Sequence, residues 1–129
     1  MNPAPGVPSR PPTTKQAGDA AEEQALGFLL RAGLGLVTRN YRTPGRGGGE
    51  IDLVMRESDG THVFVEVRQR KSGSHGGAAA SVSFSKQRRI VFAARHFLMR
   101  LASPPPCRFD VVTVEAGAVA WIKGAFDAF

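Results

Sequence analysis

The sequence predicts an α/β fold, helices covering a mixed sheet, with elements in the order α-β-β-β-α-β-β. Three observations carry that prediction. Two long stretches repeat apolar residues at helical spacing, and five shorter ones alternate like strands. Two of the strand-like runs are joined by Glu57-Ser58-Asp59-Gly60-Thr61, a hairpin signal. A chain of 129 residues has room for a single domain. No apolar run approaches the roughly 18–20 residues of a membrane span. The one cysteine, Cys107, has no partner for an intrachain disulfide, so a cytoplasmic protein without a membrane association is expected.

Five of the nine prolines lie in the first twelve residues, which read as a disordered tail over 1–12 preceding a single domain over 13–129. From Thr14 to Ala32 the spacing predicts a helix, with Thr14 as N-cap and Gly33 as the stop. Gly18, Glu22, Ala25, Leu26 and Leu29 share one stripe of it, so Glu22 is a carboxylate at the end of an apolar face, while Glu23 turns about 100° away. Leu36 to Arg42 reads as a strand and Thr43 to Gly49 as a Pro/Gly loop. Strands follow over Glu50 to Arg56 and His62 to Arg70. Residues 71–81 lack periodicity and read as a mobile loop. A long helix from Ser83 to Ala102 places Ile90, Ala94, Phe97, Leu98 and Leu101 inward and most of its Lys and Arg outward. Pro104 to Pro106 form a stiff connector. Arg108 to Glu115 and Ala118 to Ile122 close the chain as strands, with Trp121, Phe126 and Phe129 sealing the sheet edge.

Net charge is +6, from 17 Lys and Arg against 11 Asp and Glu. Its distribution says more. Between Arg68 and Arg100 stand eight basic residues and no acid, whereas the rest of the chain holds nine basics and all eleven acids. A basic segment on a near-neutral body favours a polyanionic partner, with a solvated helix face as the plain alternative.

Strand alternation puts Glu50, Asp52 and Val54 on one face, opposite Ile51, Leu53 and Met55. Likewise Phe64, Glu66 and Arg68 share a face. With Gly60 in the left-handed position of a three-residue hairpin loop, paired residue numbers sum to 118, so Asp52 faces Glu66 and Glu50 faces Arg68. Opposed carboxylates repel. A divalent cation offsets that repulsion, since Mg²⁺ is held by one or two carboxylates plus waters and substrate phosphate. The alternative is a solvated sheet edge where both pair with arginines, and a one-residue register slip would separate them. His62, His75 and His96 lack metal-like spacing, and Asp110 reads as a partner of Arg108 rather than a ligand.

Five stretches resemble a known family: TTKQAGDAAE from Thr13, GGEIDLV from Gly48, FVEVR from Phe64, GGAAASV from Gly76 and RFDVV from Arg108. Together, over residue 13 to the C-terminus, they closely resemble the YraN-like family of predicted bacterial endonucleases, itself similar to archaeal Holliday junction resolvases of the PD-(D/E)xK nuclease superfamily. The resemblance implies a restriction-endonuclease-like three-layer core and a Mg²⁺- or Mn²⁺-dependent endonuclease acting on DNA, branched or structured DNA included. Carried over by position, Asp52, Glu66 and Glu22 are metal ligands, and these three with Arg68 are the catalytic set. Two departures stand out: Ile51 replaces a proline before Asp52, and Arg68 stands where the superfamily has lysine. A guanidinium with a pKa above 12 cannot act as a base, although it stabilises phosphate charge by bidentate bonding. Arg70, Lys71, Lys86, Arg88 and Arg89 are the expected phosphate contacts. The competing expectation is a catalytically inactive nucleic-acid-binding module of the same fold. A homodimer is expected by analogy with resolvases, which need two sites to cut two strands.

Overall fold

The computed structural model describes residues 13–70 and 82–128. The tail over 1–12, the loop over 71–81 with Lys71 and His75, and Phe129 lie outside the described residues.

Helix α1 (Thr14–Arg31) is capped by Thr13, not Thr14. The Gln16 backbone N–H donates to the Thr13 hydroxyl at 3.1 Å, and the Thr13 N–H donates to the Gln16 side chain at 2.8 Å. This reciprocal pair satisfies two otherwise orphaned helix-end donors. Ala21, Ala25, Leu26 and Leu29 form the buried stripe, and Gly33, at φ +103°, ends the turn in a conformation that favours glycine.

Strands β1 (Gly35–Arg42), β2 (Glu50–Arg56) and β3 (His62–Gln69) pair antiparallel in sequence. Helix α2 (Phe84–Leu98) then carries the chain across the sheet, so that β4 (Cys107–Glu115) pairs parallel to β3, and β5 (Ala118–Phe126) returns antiparallel. The result is a mixed five-stranded sheet in the order β1-β2-β3-β4-β5. Leu53, Met55, Val63, Val65, Val112 and Val114 pack with the α1 stripe, and Ile51, Val54, Phe64, Phe109 and Val111 pack with Ile90, Val91, Ala93, Ala94 and Phe97 of α2. The helices thus cover opposite faces.

Two boundaries and the alternation of one strand depart from the sequence reading. Helix α2 stops at Leu98 instead of Ala102, because Arg100 and Leu101 donate to Phe97 and Leu98 in tighter i→i−3 bonds and the Arg100 guanidinium lies 5.5 Å from the Phe97 ring. Strand β5 runs past Ile122 to Phe126. Its ladder is irregular opposite Asp110, and the Gly124 N–H (φ +60°) donates to the Asp110 carboxylate at 2.9 Å, which keeps the strand attached. On β2 the alternation fails at Asp52: Ile51 packs beneath α2 with Val54, whereas Leu53 packs beneath α1.

One contact sets how α2 lies on the sheet. A Cβ at Gly49 would meet the Arg89 carbonyl oxygen at 1.9 Å and Ala93 Cβ at 3.1 Å. Only glycine allows that approach, and it brings the first turns of α2 over the start of β2.

Candidate functional site

The β2–β3 hairpin holds the expected register where it is paired: Arg56↔His62, Met55↔Val63, Val54↔Phe64 and Leu53↔Val65 all sum to 118. Beyond Leu53 the ladder gives way. The Val67 N–H donates instead to the Asp52 carboxylate, at 2.8 Å. A backbone donor that would have continued the sheet therefore fixes an acid side chain. Glu50 does not face Arg68; it lies opposite Arg42 of β1 and pairs with it at 3.2 Å.

Asp52 and Glu66 are nonetheless brought together. Glu66 is 6% exposed, and the two carboxyl groups share a hydrogen bond. Burial first, and then the Asp52 charge, push Glu66 up to about 7. Burial also raises Asp52, with the Val67 N–H and the bond from Glu66 pulling the other way. That shared bond lowers Asp52 and raises Glu66, so Glu66 is the member that keeps the proton near neutrality.

Two cations face this pair. Lys86 Nζ lies 3.7 Å from the Glu66 carboxylate, and its charge opposes the rise in Glu66 more than that of the half-buried Arg68 does. Lys86 is thus at the carboxylates rather than simply on an outer phosphate-binding face. The signal was present in the sequence: Lys86, Ile90, Ala93 and Phe97 repeat at i, i+4, i+7 and i+11, so the inward stripe of α2 extends one turn back onto a lysine. Glu22 is half-buried on α1. Burial and then the Asp52 charge raise its pKa, while Arg39 and a bond to the Asn40 side chain lower it. It feels Asp52 but does not complete a triad: among the described residues no group of three or more His, Cys, Asp or Glu is placed to hold a metal ion.

Other expected residues separate. Arg88 and Arg89 stand on the outer side of α2. Arg70, two residues beyond Arg68 and just past β3, has a side chain 13% exposed and paired with Glu115 at 3.4 Å, against the end of β4 and apart from the arginines of α2. Asp110, fully buried, accepts from Arg108 Nε at 2.9 Å and Nη2 at 3.1 Å and from Trp121 Nε1 at 2.8 Å. It is a structural junction, as the sequence suggested. His62 bonds the Gly60 carbonyl, and His96 shares a 2.5 Å hydrogen bond with Tyr41.

Residues 21–114 match the model of a family described as "Uncharacterised protein family UPF0102". This chain belongs to the UPF0102 family. The UPF0102 protein of Albidiferax ferrireducens is 68% identical over 124 residues, covering 96% of this chain and 97% of its own length. That of Paracidovorax citrulli is 63% identical over 124 residues, with 96% and 92% covered. A UPF0102 protein of Polaromonas sp. is 67% identical over 125 residues, with 90% and 84% covered. The UPF0102 match spans Glu22, Asp52, Glu66, Arg68 and Lys86, so the carboxylate pair and both cations fall within the family unit.

Proposed function

We propose that this chain is a divalent-cation-dependent endonuclease that hydrolyses phosphodiester bonds in DNA, built on a restriction-endonuclease-like core. One observation carries the reading. The buried Glu66 carboxyl and the half-buried Asp52 carboxyl are held against each other at a cost in desolvation and repulsion, with a lysine at 3.7 Å from Glu66. Hard oxygen donors held this way fit Mg²⁺ or Mn²⁺. Asp52 and Glu66 would hold the ion, helped by the Val67 carbonyl, with Glu22 adding negative charge nearby, and the ion would supply a Lewis acid and a lower pKa for water.

The chain's own groups supply the rest. The Val67 N–H holds the Asp52 carboxylate in one orientation. Water activation, which the sequence reading leaves to the ion with Glu22 or Glu66, gains Lys86: a cation beside the carboxylates, able to orient the attacking water. Arg68, permanently charged, stabilises developing charge on phosphate by bidentate bonds. Arg88 and Arg89 hold phosphates without reading bases. In this reading the partner is nucleic acid, taken as DNA on the family resemblance, with the second copy of a homodimer as the route to a second strand.

Arg68 at the lysine position favours a second reading, a nucleic-acid-binding module without catalysis. Cleavage decides between them. Pure protein with Mn²⁺ should nick at least one of linear, flapped and four-way DNA. Asp52→Ala should abolish the nicking, and Lys86→Ala should slow it about 10²- to 10⁴-fold, the usual worth of a positioned acid or base. Absence of cleavage on every substrate, or cleavage untouched by Asp52→Ala, leaves the binding module.

A further inference from the structure

The outer side of α2 carries a groove of ≈ 520 Å³ lined by Gly47, Phe84, Arg88, Arg89, Phe92 and Arg95. Its composition is unusual for a solvated helix face. Phe84 is 64% and Phe92 54% exposed, and from Phe84 to Leu98 the helix bears Lys86, Arg88, Arg89 and Arg95 but no acid. We propose that this groove binds a single-stranded segment of DNA, with bases stacked on Phe84 and Phe92 and the backbone held by Arg88, Arg89 and Arg95.

The aromatic residues select single strands over duplex. A duplex presents phosphates outward and keeps its bases stacked inside, so arginines gain from it and exposed phenylalanines do not. A single strand offers both a charged backbone and open base faces, which is why such sites interleave aromatic and basic side chains. Phe84 and Phe92 are eight residues apart, about 12 Å along the helix axis, a span of about three bases at the stacking rise of 3.4 Å. Charge rules against other occupants. A second copy would set arginines against arginines, and a concave groove fits a thread better than a flat membrane surface.

The groove also leads somewhere. A second cavity of ≈ 320 Å³, lined by Arg42, Thr43, Gly48, Gly49, Glu50 and Arg89, shares Gly47 and Arg89 with the first. Glu50 opens the strand that carries Asp52. A strand seated on Phe92 and Phe84 is therefore directed past Arg89 toward the start of β2, two residues before Asp52. The substrate class that follows is DNA with a single-stranded arm or gap, and this last step rests on the nuclease reading, whereas the groove itself does not.

Binding of the full chain in EDTA tests the groove without any cleavage. The probes are a labelled oligothymidylate of about 16 nucleotides, the upper end of known site sizes, and a blunt duplex of equal length. Phe92→Ala should weaken the oligothymidylate about 5- to 100-fold, leave the duplex nearly unchanged, and be restored by Phe92→Trp. Arg88→Gln with Arg89→Gln should weaken both. A Phe92→Ala that weakens both probes equally, or neither, overturns the groove, as does one that turns a sedimenting dimer into a monomer with oligothymidylate binding intact. Phe92 is exposed, and a thermal melt verifies folding. If Mn²⁺-dependent cleavage fails while the Phe92 pattern holds, the nuclease reading falls alone; if cleavage depends on Asp52 and the Phe92 pattern fails, the groove falls alone.

Discussion

Burial and the neighbouring Asp52 hold the Glu66 carboxyl near 7, against 4.5 for the ordinary group. Between those values the folded chain keeps a proton that the unfolded chain has lost. Stability from this group is therefore full below about pH 4.5 and is lost as pH rises through about 7, by about 3 kcal/mol if the whole shift is expressed. A bound cation replaces the proton and removes the penalty. Urea melts of the metal-free protein should show this decline, and Mn²⁺ should raise Tm more at about pH 8 than at about pH 5.5, since below 7 it must displace a proton. An equal rise at both values would place the ion elsewhere. Asp52→Asn should bring Glu66 part of the way back toward 4.5, read by carboxyl titration in NMR. The return is partial because burial, not Asp52, is the larger cause. At this scale the sequence was informative where chemistry is local. Asp52 and Glu66 were reachable from alternation and one hairpin register, and Asp110 from its neighbour Arg108. For Lys86 the inward stripe was legible but the partner was not, because its contact with Glu66 depends on where the helix docks.

Elements were legible in proportion to how locally they are determined. The β2–β3 register follows from Gly60, whose φ of +96° closes the turn with the Glu57 and Gly60 amides bonded across it at 2.8 and 3.0 Å. The α1 start was misread by one residue because two threonines adjoin, and Gln16, three residues after Thr13, settles which of them caps. The ends of α2 and β5 differ for other reasons: α2 stops early in a local tightening, with Arg100 against the Phe97 ring three residues before it, whereas β5 is extended by Asp110 bonded to Gly124, a contact between distant parts of the chain. The break in alternation at Asp52 belongs to the same class. It occurs next to the point where α2 presses on Gly49, which strand periodicity cannot register. That contact makes a strong prediction. Gly49→Ala places a methyl 1.9 Å from the Arg89 carbonyl oxygen, a backbone atom that moves only with the helix. It should cost about 1–3 kcal/mol in urea denaturation, the range for overpacking, and because Lys86 rides on the same helix, Mn²⁺-dependent cleavage should fall by more than the lost stability explains. An unchanged midpoint would mean that α2 sits farther from β2.

For the whole molecule, the charge count made from the sequence and the charge geometry of the fold lead to different numbers. Eight basic residues between Arg68 and Arg100, unrelieved by any acid, suggest a long polyanion-binding surface. The fold divides them. Arg68 and Lys86 face the carboxylates, Arg70 is held by Glu115, and Arg100 covers the Phe97 ring, while Lys71 lies outside the described residues. Arg88, Arg89 and Arg95 line the groove. Counterion release counts the phosphates neutralised, not the basic residues present, and for a single strand log K falls by about 0.7 per phosphate against log salt. Three groove arginines thus predict a slope of about −2 for oligothymidylate binding, where all eight basics would give about −6. Titrations in EDTA across a range of salt measure that slope directly. Arg88→Gln should make it shallower by a little under 1, while Arg70→Gln should leave it unchanged and lower Tm through the lost Glu115 pair. A slope near −6, or an Arg70→Gln effect on it, would show that the basic segment acts as one continuous surface and that the groove is only part of the binding site.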